Sequence, residues 1–144
     1  MKTVVDASVA VKWFLPDDEA EADADRALAL LAALRDGRIE IVQPPHWLAE
    51  VAAVAARLRP EIAHHVFRLL DAMELPVADE PEVYETAIDL AVDHQHHLFD
   101  TLYHATAVVR QAELVTADDR YHRKVGHLPE VVPLADWQLP ENRT

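Results

Sequence analysis

Short apolar segments alternate along this chain with longer segments of helical periodicity, and this alternation limits the possible folds more than any other feature. The strand candidates are rich in β-branched and aliphatic residues, and they cover residues 2–5, 39–42, 75–78, 114–116 and 131–134. Between them, apolar residues recur every three or four positions, as on one face of a helix. Strands that alternate with helices favour a parallel sheet covered on both faces. We therefore predict an α/β fold of three layers, α/β/α, with a mostly parallel central sheet of four to five strands.

The length of 144 residues fits one domain. We assign residues 1–136 to this domain and residues 137–144 to a C-terminal tail. The predicted helices cover residues 7–15, 17–35, 44–58, 60–73, 81–94 and 100–111. Pro16 is expected to end the first of them, because proline disfavours the helical conformation in the residue before it. The third helix is expected to bury a stripe formed by Trp47, Val51, Val54 and Leu58.

Acidic residues outnumber basic ones, 26 against 13, which gives a formal net charge of -13. Such a surface repels nucleic acid over most of its area, so RNA binding would be local and assisted by cations, whereas a basic protein partner would be attracted. The absence of Cys excludes disulfides, thiolate metal sites and cysteine nucleophiles. The first residues lack the apolar stretch of a signal peptide and no run reaches membrane-spanning length, so we expect a cytoplasmic protein without membrane contact.

Four acidic residues occupy positions where the active site of such a fold is expected. Asp6 ends the first strand, and Asp118 follows the strand at 114–116. Glu50 lies in the second turn of one predicted helix, and Asp100 opens another. Because ligands bind beyond the carboxyl ends of the strands in open α/β sheets, we expect these four side chains to share one site.

Each acid also has a purely structural interpretation. Asp100 and Asp118 stand at helix starts, where Asp is a favoured N-cap, and Asp6 is placed to cap the helix that follows it. Glu50 lies among apolar neighbours and needs a partner, which a salt bridge would also supply. Four ionised carboxylates in one pocket would repel one another, and a bound cation removes that repulsion. Oxygen ligands suit Mg²⁺ or Mn²⁺, ions that activate an attacking water and stabilise the leaving oxygen of a phosphodiester.

Four segments of the chain resemble, in order, the motifs of a known family. They are VVDASVAVKWFLP at residues 4–16, WLAEV at 47–51, FDTLYHATA at 99–107 and LVTADDRY at 114–121. These segments resemble the PIN-domain toxins of the VapC type, and the resemblance extends from residue 1 to about residue 134. It implies a PIN-like fold, a Mg²⁺- or Mn²⁺-dependent endoribonuclease, a homodimer and a cognate antitoxin protein encoded alongside.

The resemblance also implies roles for individual residues. The metal would be held by the four acids Asp6, Glu50, Asp100 and Asp118. Ser8 and Thr116 would support them through hydrogen bonds. Asp119 adjoins Asp118, and the resemblance favours the first acid of this pair. The implied reaction is hydrolysis of RNA by metal-activated water, without a protein nucleophile.

Other side chains near these motifs allow two interpretations each. Phosphate contact and an ordinary charged surface are the alternatives for Lys12, Arg120, Arg123 and Lys124. Solvated polar side chains are favoured over zinc ligands for His94, His96, His97 and His104. His97 and His104 have contact with RNA as a further alternative. Packing in the core or in a dimer is favoured over stacking on bases for Trp13, Phe14 and Trp47.

Three other functions are alternatives to the ribonuclease. An inactive PIN-like module would only bind partner proteins, and retention of all four acids argues against it. A haloacid-dehalogenase-like phosphatase also uses an Asp after its first strand, but it has a second acid where this chain has Ser8. A receiver domain would need a phosphoacceptor Asp in mid-chain and a late Lys, and we find neither.

Overall fold

A computed structural model of the protein describes residues 1–15 and 21–143. In this part of the chain, one sheet contains four strands: β1 (Lys2–Val5), β2 (Glu40–Ile41), β3 (Glu113–Thr116) and β4 (Val131–Pro133). The order across the sheet is β2-β1-β3-β4, and every neighbouring pair is parallel. The predicted α/β fold with a parallel sheet is therefore confirmed. Since Val5 pairs with Val115, the central strands β1 and β3 end at the same edge.

The described helices connect these strands and surround the sheet. They are α1 (Ala7–Ala10), α2 (Glu21–Arg35), α3 (Trp47–Leu58), α4 (Ala63–Ala72), α5 (Pro81–His94), α6 (Leu98–Arg110) and α7 (Asp119–Val125). After α1 the chain continues as a 3₁₀ turn over Val11–Trp13. Pro81 fits the first turn of α5 because the proline ring fixes the backbone angle φ near its helical value. Gln95 and Gln111 end α5 and α6 in the left-handed conformation, which stops helix growth.

The central strands are buried because their side chains are aliphatic on both faces. Val4, Val5, Leu114 and Val115 are each at most 1% exposed, as expected for strands covered by helices on two sides. Gln43 is buried as well, and its side-chain amide accepts a hydrogen bond from Val5 N and donates one to Val5 O, both at 2.9 Å. This side chain therefore takes the place of a neighbouring strand beyond the end of β2 and holds the chain just before Asp6.

Several element boundaries differ from those predicted. Residues 75–78 form no strand, and only Val77 makes a single bridge, to Gln43. The helix expected from Pro60 begins at Ala63, because residues 60–62 form a turn. On α3 the third buried position is Ala55, while Val54 is half-buried and Leu58 is 53% exposed. The expected stripe on this helix was therefore wrong at its C-terminal end, where the helix leaves the core.

The boundary between the first two predicted helices lies outside the described residues, whereas most of the predicted C-terminal tail lies within them. Pro16, the expected end of the first helix, and the acidic start of the second lie outside the described residues. In the segment expected as a tail, Trp137 is only 3% exposed, and Arg143 donates two hydrogen bonds to Glu113. Thr144 lies outside the described residues. Among the helices of residues 1–15 and 21–143, none combines the length and apolarity needed to cross a membrane.

Candidate active site

Asp6 lies at the point where β1 ends, and its carboxylate is bound to one residue of α1 and one of β3. Its backbone N donates to Val115 O at 3.0 Å. Oδ2 of Asp6 accepts hydrogen bonds from Ser8 Oγ at 2.5 Å and from Thr116 Oγ1 at 3.1 Å. Although Asp6 precedes α1, its side chain makes no capping bond. The structural interpretation of Asp6 as an N-cap is therefore wrong.

The two hydroxyl groups connect Asp6 to the loop that carries Asp118. Thr116 Oγ1 accepts a hydrogen bond from Asp118 N, and Ser8 Oγ accepts one from Ala117 N, both at 3.0 Å. Each hydroxyl thus donates to the Asp6 carboxylate and accepts from the backbone after β3. This arrangement fixes the position of Asp6 relative to Asp118.

Asp118 is the N-cap of α7. Its Oδ1 accepts hydrogen bonds from Arg120 N at 3.0 Å and Tyr121 N at 3.2 Å, so the capping interpretation holds for this acid. A carboxylate has a second oxygen, and capping through Oδ1 is compatible with metal binding through Oδ2. The neighbouring Asp119 is exposed in the first turn of α7.

Asp100 lies in the first turn of α6 and does not cap it, because His97 occupies the capping position. Oδ2 of Asp100 is 2.7 Å from Nε2 of His96, whose side chain is only 4% exposed. Lys124 Nζ lies 3.0 Å from Nδ1 of the same ring and donates to Gln95 O at 2.8 Å. Since an ammonium group only donates, His96 accepts at Nδ1 and carries its proton at Nε2, from which it donates to Asp100. The expectation that His96 is a solvated polar residue was therefore wrong.

Glu50 has a buried oxygen without a hydrogen bond. Oε1 lies 2.7 Å from His46 Nε2, but the same nitrogen is 2.7 Å from Phe99 O and has the geometry of a hydrogen bond only there. A ring nitrogen carries at most one proton, and Nε2 donates it to Phe99 O, so Oε1 stays without a donor among the described residues. A buried carboxylate oxygen in this condition costs free energy unless a cation or water satisfies it.

The charges of three acids act on one another. Burial raises the pKa of Asp6 to about 6, with further increases from the Asp100 and Glu50 carboxylates, although the hydrogen bonds from Ser8 and Thr116 oppose the change. Tyr103, which is fully buried, has its pKa raised by burial and by the same three carboxylates. Asp6, Glu50 and Asp100 therefore converge around one buried phenol.

The donor atoms fit a divalent cation. His96, Asp100 and Asp118 each offer one ligand atom, and these atoms all lie within 4.8 Å of one another. Asp6 and Glu50 do not belong to this group of three. The carboxylates of Glu50 and Asp100 nevertheless raise the pKa of Asp6, and all three raise the pKa of Tyr103. Glu50 also has a buried oxygen without a hydrogen bond. Because Nε2 of His96 carries the proton that it donates to Asp100, the ligands in this group are the carboxylates, and oxygen ligands suit Mg²⁺ or Mn²⁺.

A comparison of the sequence with known families decides the kind of site. A model of the PIN domain matches residues 3–128. This chain belongs to the PIN-domain family. The resemblance seen in the four sequence motifs is thereby confirmed, and membership of this family supports a nuclease, which is a hydrolase. A comparison with curated proteins found no match.

Several solved structures share this PIN-like fold. A toxin–antitoxin complex from Klebsiella pneumoniae is 18% identical with a TM-score of 0.62, covering 92% of this chain and 97% of that chain. VapBC2 from Rickettsia felis, bound to a DNA fragment from their promoter, is 16% identical with a TM-score of 0.62 and the same coverages, 92% and 97%. FitAcB from Neisseria gonorrhoeae is 18% identical with a TM-score of 0.59, covering 91% and 95%. At these identities the similarity shows the fold.

One hollow of this PIN domain is lined by two of the acids, and a second is lined by His96, which contacts Asp100. The Phe99 hollow has a volume of about 530 Å³ and is lined by Glu50 and Asp100, by His46, His97 and Phe99, and by two alanines of α3. The Lys124 hollow has a volume of about 290 Å³ and is lined by Ala91, Gln95, His96, His97, Arg120 and Lys124. A larger apolar cavity of about 660 Å³ lies between α2 and α4, and none of the four acids lines it.

Two of the four basic residues predicted to contact phosphate line a hollow near the acids, and the other two do not. Arg120 and Lys124 line the Lys124 hollow. Arg123 is exposed on α7, and Lys12 is half-buried in the turn after α1, and neither lines the two hollows.

The remaining histidine and tryptophan predictions have mixed outcomes. His104 is fully buried between Tyr121 Oη at 2.6 Å and Glu130 Oε1 at 2.7 Å, so the expectations of solvation and of RNA contact were both wrong for it. Burial lowers the pKa of this imidazole. His97 is exposed and borders both hollows. Trp13 and Trp47 are buried in the core, which confirms packing for both.

The sequence motifs did not predict that His46 would lie beside Glu50 or that His96 would lie beside Asp100. A signal was present, because each histidine precedes an acid by four positions, Glu50 in one case and Asp100 in the other. That spacing brings two side chains together wherever the backbone turns helically between them.

Proposed function

We propose that this PIN-domain protein is a metal-dependent endoribonuclease and the toxin of a toxin–antitoxin pair. The observation that carries the proposal is the convergence of Asp6, Glu50 and Asp100. Burial, with a further contribution from the other two carboxylates, raises the pKa of Asp6, and one Glu50 oxygen is buried without a donor. Ionised carboxylates so close to one another favour a divalent cation among them. The family membership supports nuclease chemistry, and RNA as the substrate is part of the proposal.

The acids Asp6, Glu50, Asp100 and Asp118 would hold Mg²⁺ or Mn²⁺. Such an ion, when bound, supplies an activated water and stabilises the leaving oxygen of the phosphodiester. The protein side chains do the positioning. Ser8 and Thr116 orient Asp6, and the proton on His96 Nε2 fixes one oxygen of Asp100.

The RNA backbone would approach through the few basic side chains near the acids. Arg120 and Lys124 line the adjoining hollow and present cations to a phosphate, with Lys12 and Arg123 as more distant contacts. The net charge of -13 keeps the rest of the surface repulsive, so binding depends on this local area and on the divalent ion.

The protein partner would be a basic antitoxin. One solved structure similar to this chain is a toxin–antitoxin complex, and the excess of acidic residues in this chain favours a basic partner. An Arg side chain of the antitoxin inserted among the four acids would pair with carboxylates as the metal does and would inhibit cleavage.

The toxin itself would be a homodimer, a state that light scattering of the purified protein measures directly.

The test compares wild type with Asp6→Asn and Glu50→Gln on RNA in the presence of Mg²⁺ or Mn²⁺. Wild type is expected to cleave internally, with activity removed by a chelator and restored by the ion, and both variants are expected to lose cleavage while staying folded. Asp89→Asn, an exposed acid on α5, serves as the matched control and should keep full activity. Full activity in Asp6→Asn combined with Glu50→Gln would end the assignment, and an inactive wild type that binds the antitoxin would indicate a binding module instead.

A further inference from the structure

The Phe99 hollow has an aromatic wall beside two of the proposed catalytic acids. Phe99 directly precedes Asp100, and its side chain is 63% exposed. Phe67 is 40% exposed and Phe14 is half-buried, so Phe99 is the most exposed of the three phenylalanines of the chain. An aromatic ring left largely in water next to a reacting centre gains free energy when another flat ring covers it.

This wall is held in place by hydrogen bonds and by packing. His46 Nε2 donates to Phe99 O at 2.7 Å, and the two rings lie 5.7 Å apart. On its other side the His46 ring packs against the buried Tyr103, at 5.0 Å between centroids. Helix α3 contributes Ala49, Glu50 and Ala53 to the lining of the same hollow. The hollow therefore has a rigid aromatic side and enough open space for a planar group.

We propose that the Phe99 hollow binds one unpaired nucleobase of the RNA, stacked on Phe99, next to the phosphate that is cleaved. The proposal rests on the proposed function and adds the side chain that receives a base, Phe99, beside the acids that act on the phosphate. Because Glu50 and Asp100 line both the hollow and the acid site, a base in the hollow and a phosphate at the acids belong to adjoining parts of one nucleotide strand. A base inserted there is no longer available for pairing, so a continuous duplex is excluded.

The position of the basic side chains gives the strand a direction across the surface. The Lys124 hollow lies on the other side of His97, which borders both hollows. A strand with its base on Phe99 and its phosphate at the acids therefore continues toward Arg120 and Lys124, which attract the next phosphate. The acids alone would repel such a strand, and these flanking contacts supply sequence-tolerant attraction.

The experiment uses single-stranded oligoribonucleotides that carry one 2-aminopurine at successive positions, with Mg²⁺ present. Binding is measured on an Asp6→Asn background, so that cleavage does not interfere, and fluorescence quenching reports stacking. The variants compared on this background are Phe99→Ala, Phe99→Tyr as the conservative replacement, and Phe67→Ala as the matched control on α4. Melting curves show that each variant is folded.

We expect strong quenching at one position, which adjoins the bond that wild type cleaves. Phe99→Ala should abolish this quenching and weaken binding about 5- to 150-fold, the usual range for one stacked base. Phe99→Tyr and Phe67→Ala should bind like the parent, and annealing a complementary strand should remove binding.

Three results would overturn the proposal. They are unchanged quenching in Phe99→Ala, equal binding of duplex and single strand, and an effect of Phe99→Ala on antitoxin affinity alone. The last result would assign the hollow to the protein partner. Failure of the proposed function is recognised separately, because it appears as the absence of ion-dependent cleavage in the wild type with Phe99 intact.

Discussion

At the scale of single residues, Asp6 shows how the site differs from an ordinary charged surface. Two hydroxyl groups donate to its carboxylate, which favours the ionised form, yet burial and two neighbouring acids raise its pKa from 3.8 to about 6. Repulsion and desolvation therefore outweigh two hydrogen bonds. The folded protein keeps this site at a cost in stability that a bound cation would offset.

Asp6→Asn is expected to stabilise the protein at neutral pH when no divalent ion is present. The folded-state pKa lies above the unfolded value, so the favourable contribution of protonated Asp6 is complete below pH 3.8 and is lost as the pH rises through about 6. At pH 7.5 the variant should gain about 1–3 kcal/mol in the free energy of unfolding. Urea unfolding in chelator at pH 7.5 and pH 4 measures the difference, which should shrink at the lower pH. Equal stability of the two proteins at pH 7.5 would contradict the raised pKa.

His96→Ala is expected to weaken divalent-ion binding by about tenfold or more, because groups that orient a ligating carboxylate have effects of this size. The reason is the loss of the proton donated to Asp100 Oδ2. Calorimetric titration with Mn²⁺ gives the affinity without any measurement of activity. His65→Ala, an exposed histidine on α4, is the control and should bind the ion like wild type. An affinity unchanged by His96→Ala would assign that side chain to packing.

At the scale of elements, α7 combines a structural and a proposed chemical role in one residue. Asp118 caps the helix through Oδ1 and is bound through its backbone N to Thr116, whose hydroxyl also contacts Asp6. The same helix presents Arg120 and Lys124 to the hollow beside the acids. The start of α7 therefore sets the position of both an acid and two cations.

Substitutions at the start of α7 separate capping from charge. Asp118→Asn keeps an oxygen for the cap, so it should lose cleavage while its stability stays within about 0.5 kcal/mol of wild type. Asp118→Ala should lose cleavage and also about 0.5–2 kcal/mol of stability through loss of the cap. Asp119→Asn should retain both properties, because this side chain is exposed. Loss of cleavage in Asp119→Asn with full activity in Asp118→Asn would exchange the roles of the two acids.

At the scale of the whole molecule, the site exists only in the folded chain. Its acids come from the end of β1, from α3, from α6 and from the loop after β3, and the parallel sheet brings these places together. Ligand binding that requires all of them must therefore stabilise the folded state relative to the unfolded one.

Added Mg²⁺ or Mn²⁺ is expected to raise the free energy of unfolding of the wild type. At a concentration one hundred times the dissociation constant, the gain is about 2.7 kcal/mol for a single site. Glu50→Gln removes the charge of the carboxylate whose buried oxygen has no donor, so this variant should show a much smaller gain. Thermal melts with and without the ion measure both. A gain of equal size in the two proteins would place the ion elsewhere.

The sequence by itself determined the parallel α/β fold and the candidate acids, because strand alternation and order of motifs are local properties. Asp6 and Asp118 follow from the rule that sites lie at the ends of parallel strands. The helical stripe on α3 was predicted less well, since periodicity gives a face but not where along the helix that face leaves the core, as Leu58 shows.

Only the tertiary structure decided which groups meet. The ring of His96 touches Asp100 because the chain turns before α6, and Lys124 reaches that ring from a helix 28 residues further on. Gln43 replaces a strand beside Val5, and three carboxylates contribute to the raised pKa of Tyr103, although neither residue has a local signature. These contacts join residues that are distant in sequence, and their energies depend on burial, which a one-dimensional pattern specifies only as inside or outside.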